Sequence, residues 1–308
     1  MPIGIIFCGV LMLYLFPIIT VFIWAGNAII NKMASTVIDP GAISFYRWLV
    51  AFIVLTPFLI VPTWKNRKVI LPYLSKLMFL AMLGMVLNQS LGYYAGLSTT
   101  ALNLSLITSL VPLIGLFLSI PLLNQKLTLY AVFGAVISFV GLIIMLSHGD
   151  VKGLFSQGMN HGDVLVLLGT VAYALYVVLI KRWRMPISNW QSVYVQVCCA
   201  LVMLLPLFSM SEQVHLNQHT VPLILYAGLL ASIIAPWCWM MGIEHLGADK
   251  AAIFMNLMPA VTAVFASVIL DEQLTFFHYV GMAMIIGGVI LAQRSKSTRP
   301  VMAKVPQK

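Results

Sequence analysis

Arg47 is the one charge that lies clearly inside an apolar stretch of this chain. Placing an arginine there costs about 2.5 to 3.5 kcal/mol unless it is paired or reaches the interface. It can snorkel outward, bond freed carbonyls or attract a solute carboxylate, and a gating or structural bond is the favoured use. The other groups at similar depth are neutral: the amides of Asn27, Asn88 and Asn256, the hydroxyls of Thr108 and Ser109, and the rings of Trp24, Tyr173, Tyr176 and Trp237. Rings with a polar handle suit partly apolar zwitterions, heterocycles or cationic drugs. Such a set can bind and release a small molecule without transforming it.

Catalysis needs more than this set offers. An enzyme within the membrane remains a remote alternative, because it requires a nucleophile, an acid–base pair or metal ligands converging at one face. The eight acids sit in links or at helix ends, and the six histidines are peripheral and lack metal-ligand spacing. No cofactor or metal is implied. A proton-driven pump usually keeps an ionisable relay in the bilayer, so facilitated export or exchange down a gradient is the favoured mode. Glu244 and Lys250, near the inner mouth, are the remaining candidates for a coupling or gate pair. There is no glycine-lysine loop of the kind that cradles ATP.

The elements that hold these residues must be lipid-soluble. With 61% apolar and 8% charged residues among 308, an ordinary soluble domain could not hide its side chains. The net charge of +9 is spread through short links rather than gathered on a wet face, so nucleic acid is not a partner. Membrane lipids are, and a homodimer stays open. The four cysteines fall within apolar runs and read as small core residues. Apolar runs predict ten helices, at 11–31, 41–62, 72–93, 99–121, 127–147, 163–181, 189–209, 221–242, 249–270 and 275–293.

Charge supports that count. With the amino terminus inside, every Lys and Arg except Lys32, Lys152 and Arg47 falls in a cytoplasmic segment. Both termini are then cytoplasmic. The chain divides into a five-helix repeat over 1–147, an extracytoplasmic linker over 148–162, a second repeat over 163–293 and a basic, disordered tail over 294–308.

Residues 101–147 repeat at 248–294 without a gap, at an offset of 147: Ala101, Leu110, Pro112, Leu123, Thr128, Gly134 and Gly141 meet Ala248, Leu257, Pro259, Leu270, Thr275, Gly281 and Gly288. Five helices per repeat is an odd number, so the two repeats enter the membrane from opposite sides. In repeat transporters, matching helix interruptions point to the solute path. Pro112 and Pro259 form such a pair. Each should release a carbonyl four residues back, at Thr108 and Met255, beside the polar groups Ser105, Thr108, Ser109 and Asn256. Gly84, Asn88, Gly92 and Gly96 at four-residue steps predict one packed face of the third helix. Gly134 with Ser138 and Ala283 with Gly287 predict similar faces on the fifth and tenth. At an offset of 149, Trp24 matches Tyr173, which predicts an opposed aromatic pair. Tyr93, Tyr94, Trp183 and Trp190 read as interfacial belt residues.

Trp24-Ala25-Gly26-Asn27 resembles the opening motif of the EamA-type transporters of the drug/metabolite superfamily. Arg47-Trp48-Leu49-Val50-Ala51 resembles their second-helix arginine motif. Asn256-Leu257-Met258-Pro259 followed by Asp271-Glu272-Gln273-Leu274 is similar to their proline helix and acidic turn. The resemblance implies an all-α fold of ten transmembrane helices in two inverted repeats, moving a small metabolite by alternating access. The expected location is the inner membrane of a bacterial cell, and export of amino-acid-like compounds is the leading expectation. Import of a vitamin or nucleobase-like compound and drug export are the alternatives. One departure stands out: Gln125 occupies the place in the first repeat that Glu272 holds in the second. Glu272 itself reads as a capping and turn residue at the outer interface.

Overall fold

The computed structural model describes residues 3–125, 128–147, 150, 160–247, 251 and 254–293, with side chains from residue 13 onward. Among the described residues every regular element is helical. The elements are α1 (Ile3–Ala34), α2 (Pro40–Lys65), α3 (Arg67–Gly96), α4 (Ala101–Leu123), α5 (Leu129–Ser147), α6 (His161–Trp183), α7 (Asn189–Ser209), α8 (Thr220–Leu246), α9 (Met258–Ile269) and α10 (Phe276–Gln293). The first eight are long and apolar enough to cross a bilayer, and the last two are shorter apolar helices. The span expected over 249–270 is thus represented by a twelve-residue helix. Lys250, the tail from Arg294 and most of the linker lie outside the described residues.

Short polar side chains start the helices. Thr100, Asn160 and Ser188 accept from the backbone amides of Asn103, Gly162 and Gln191, supplying partners that a first turn lacks. Asp39 precedes a proline at the first position of α2 and turns its carboxylate outward instead. It accepts from the amides of Glu212 and Gln213, at 2.6 and 3.0 Å.

These bonds sort the helix ends into two groups. At one end, Asp39 ties the α1–α2 link to the α7–α8 link, and Lys32 Nζ donates to Gly96 O at 2.9 Å. Thr99 bonds Asp163, and Glu272 accepts from the amides of Ala101 and Leu102 at 2.7 and 3.2 Å. At the opposite end, Asn66 Nδ2 donates to Gln191 Oε1 at 3.2 Å and Arg182 Nη1 to Leu122 O at 2.8 Å. Asp39, Asp163, Glu212, Asp271 and Glu272 share the first end. Lys65, Arg67, Lys68, Lys181, Arg182 and Arg184 share the second.

Local geometry recurs at 147 residues. Leu110 N donates to Ile107 O and Leu257 N to Phe254 O. Ile114 N donates to Leu110 O and Val261 N to Leu257 O. Asn124 and Asp271 both adopt the left-handed conformation, at φ 52° and 54°. Around them Gln125 N bonds Ser119 O, and Glu272 N bonds Ala266 O. Asn and Asp are the non-glycine residues that best tolerate the left-handed turn at a helix C-terminus.

α5 and α10 pack closely. A Cβ on Gly288 would meet Gly134 O and the Ser138 side chain, and one on Gly281 would meet Met145 Cβ at 2.7 Å and Gly141 O at 2.8 Å. Ser138 Oγ donates to Ile285 O at 3.1 Å in the middle of this contact. The expected α5 face is present. On α10 the expectation is corrected: nothing lies within 4 Å of a Cβ placed on Gly287, and Gly281 with Gly288 form the contact instead. Positions 281 and 288 lie seven apart, two turns, on one face of the helix.

The single face expected on α3 is also corrected. Residues Met82–Leu87 form a π-helix, whose wider turn takes an extra residue and resets the register. Gly84 therefore packs on the Tyr176 ring of α6, while Gly92 and Gly96 approach Asn31 of α1. α8 carries a similar interruption, a π-helix over Tyr226–Ile234.

Candidate functional site

A buried polar cluster centred on Arg47 joins four helices. The side chain is 3% exposed. Its Nε donates to Ser232 Oγ of α8 at 2.7 Å. Its Nη1 donates to Gln89 Oε1 at 2.7 Å, to Asn27 Oδ1 at 3.2 Å and to Tyr93 OH at 3.3 Å. All four acceptors are neutral. The guanidinium also lies 5.5 Å from the Trp48 ring centroid, within cation–π range. Asn27 is bridged further to Asn31. Gln89 and Tyr93 stand four residues apart on α3, so one helix face presents both.

Arg47 also secures the α8 π-helix. Ser232 passes its own proton to Ala227 O, five residues back, the spacing of a π turn. Gly228 lies where a Cβ would meet Val50 at 2.7 Å and Arg47 O at 2.9 Å, so only glycine lets α2 come this near. α1 approaches the same segment from another side. Trp24 Nε1 donates to Ala231 O at 3.1 Å, Tyr226 OH to Ile23 O at 3.0 Å, and Thr20 Oγ1 to Ala235 O at 3.1 Å. From α2, Trp48 Nε1 donates at 3.1 Å to Met85 O of the other π-helix, in α3. Each wide turn thus receives an indole N–H.

The proline positions do interrupt their helices. Ser109 and Leu110 form a turn before Pro112, and Asn256 and Leu257 one before Pro259. The hydroxyls nearby differ in availability. Thr108 Oγ1 and Ser109 Oγ bond the backbone of their own helix, at Leu104 O and Leu106 O. Ser105 Oγ and Asn256 Nδ2 are buried with no hydrogen-bond partner among the described residues. Buried polar atoms are normally paired, so an unpaired donor beside each break is an exception to the rule.

The expected Trp24–Tyr173 pair is not formed. Trp24 pairs with Trp239, centroids 6.0 Å apart, and Tyr173 stacks on Tyr176 at 5.5 Å. The indole of Trp24 is held by the π-helix carbonyl, which turns the ring toward α8 rather than α6. Trp237 is 45% exposed and meets Phe16 edge-on, so it stands apart from the cluster, as does the exposed Glu244. Asn88 is half-buried, its backbone against Gly169 of α6. Tyr93, expected at the interface, is buried at the centre. Its spacing from Gln89 was the available signal, masked by its nearness to the helix end.

Above the cluster, a cavity of about 380 Å³ lies at the acid-bearing end, lined by Lys32, Met33, Thr36, Val37, His219, Leu223, Leu270 and Glu272. Leu223 belongs to the same apolar cluster as Ile30, Ile224 and Tyr93. One apolar layer thus links this cavity to the hydroxyl that meets Arg47.

Arg47 has a counterpart by position. It lies seven residues on from the first residue of α2, and Gln196 lies seven on from the first residue of α7. Gln196 is 1% exposed, and its Nε2 donates to Ser192 Oγ at 3.0 Å.

Residues 3–147 and 160–293 each match the model of the EamA-like transporter family. An uncharacterized transporter of Archaeoglobus fulgidus is 28% identical over 280 residues, covering 89% of this chain and 94% of that protein. The uncharacterized transporter YyaM of Bacillus subtilis is 27% identical over 207 residues, 65% of this chain and 67% of its own. A solved crystal structure superposes with a TM-score of 0.60 at 16% identity, over 93% of this chain and 98% of that one, a likeness of fold.

Proposed function

The chain belongs to the EamA-like transporter family, a family of transporters and not of enzymes, and from that premise we propose that it is a secondary transporter working by alternating access. In this reading ten helices form two five-helix repeats of opposite sense in the cytoplasmic membrane of a bacterial cell, with both termini inside. The solute is a small amino-acid-like metabolite, and the usual direction is export.

The observation that carries the reading is the recurrence of helix breaks at 147 residues, down to the hydrogen bonds of Leu110 and Leu257 and the left-handed turns at Asn124 and Asp271. Repeat transporters place the solute where such interruptions face one another. Segregation of acids and bases to opposite ends supports the orientation, since cytoplasmic ends collect Lys and Arg. The unpartnered Ser105 and Asn256 groups beside the breaks favour a path lined there. Glu244 and Lys250 stand as the inner gate pair, and Thr108, Ser109, Asn88, Tyr173, Tyr176 and Trp237 as lining.

The test is flux. Purified protein in liposomes loaded with a bacterial metabolite extract should release a restricted set of intact small molecules, identified by mass spectrometry against empty liposomes. Release of nothing would overturn the reading. Release of chemically altered products would make it an enzyme.

A further inference from the structure

The Arg47 guanidinium is a permanent cation, and each of its hydrogen-bond partners is neutral. Nη1 offers two protons to three acceptors, and Nη2 has no hydrogen bond among the described residues. A residue only 3% exposed therefore retains a net charge, with no acceptor for Nη2 among the described residues. Buried charges are ordinarily paired, because an uncompensated one is costly to hold. The missing partner is an anion. The free Nη2 and the overcommitted Nη1 form one edge of a planar fork, the geometry that takes both oxygens of a carboxylate.

We infer that Arg47 is the anion-binding element of the solute path and takes the carboxylate of the transported molecule. This rests on the transporter reading and narrows it to a substrate class. Asn27 and Tyr93, the two longer contacts, give way to the carboxylate, while Gln89 and Ser232 at 2.7 Å hold the guanidinium in place. The route between the site and the outer face runs through the apolar layer of Ile30, Leu223 and Tyr93 to the 380 Å³ cavity, which Lys32 and Glu272 both line. Ser232 belongs to α8 and Arg47 to α2, so the bound carboxylate sits where chain segments 185 residues apart are tied together.

The test uses the full-length protein in lipid nanodiscs, with intrinsic tryptophan fluorescence and thermal stability as readouts. The probes are a panel of free carboxylic acids, from acetate through phenylacetate to free amino acids, each beside its neutral amide. Wild type should respond to a subset of the acids and not to their amides. R47Q should lose the response, and R47K, which keeps the charge without the fork, should keep it about tenfold weaker. If no acid gives a response, if amides act as well as acids, or if R47Q responds like wild type, the inference is wrong. Should R47Q fail to fold, R47K decides: unchanged acid binding overturns the role of the fork. Flux of metabolite extract through wild-type liposomes separates the two readings. A transporter that moves only uncharged or cationic solutes leaves the proposed function standing and removes this one.

Discussion

Ser138 and Ile285 stand 147 residues apart in the chain and meet in space, the hydroxyl of one donating to the carbonyl of the other. Two positions that correspond at an offset of 147 thus touch each other, the arrangement expected of two inverted copies. Around this contact Gly134 faces Gly288 and Gly141 faces Gly281, each pair the exchange of the other. Such reciprocity is the signature of a two-fold contact. Gly288→Ala should therefore lower thermal stability markedly in detergent, because its methyl meets backbone. Gly287→Ala, one residue away with open space around it, should be neutral or gain up to about 1 kcal/mol from helix propensity. Equal effects would deny the contact.

Glu272 caps a helix of the other half by accepting from Ala101 and Leu102. Glu272→Gln keeps the shape and removes the charge, and should cost about 1 kcal/mol of stability. Differential scanning fluorimetry at low and high salt checks it, with the deficit shrinking as salt rises.

Asn256 and Ser105 carry buried atoms without partners among the described residues. Asn256→Ala and Ser105→Ala should leave stability unchanged or raise it, since an unsatisfied buried group costs about 1–3 kcal/mol. Transport should fall in both. Unchanged flux in both variants would mean that the helix breaks only curve their helices.

Trp24 and Trp237 make an instructive contrast. Trp24→Phe strands the Ala231 carbonyl and should lower stability by about 1 kcal/mol, while Trp237→Phe should not. Paired melting curves are sufficient to see the difference.

Single cysteines at Thr36 and Glu212 should label from outside intact cells, and those at Asn66 and Arg184 only after the membrane is opened. The bonds from Asp39 to the Glu212 link and from Asn66 to Gln191 place these positions in opposite groups. Labelling of all four from one side would break the topology.

The helices and their breaks were legible because apolar runs and prolines act locally: Pro112 follows a turn within α4, and Pro259 follows one at the start of α9, where their sequence positions say. Arg47 was legible as an anomaly, since a charge in an apolar run needs an explanation. Its partners were not. Ser232, Gln89 and Tyr93 come from other helices, and no periodicity within α2 names them. The π-helices of α3 and α8 were equally hidden, because their register change depends on the Tyr176 ring, the Trp48 and Trp24 donors and the approach of Gly228 to α2. That shift is why the glycine stripe of α3 was misread as one face and why Trp24 turned from Tyr173 to Trp239.

Gln196 holds in α7 the place that Arg47 holds in α2. A perfectly even-handed duplicate would grip its cargo equally well from both faces of the membrane. This molecule has its cation in one copy and an amide in the other, so its two openings are chemically unlike. On the reading that Arg47 takes a carboxylate, the unequal copies would give the two faces different affinities and rates for an anion, while the solute gradient alone sets the direction of net flux.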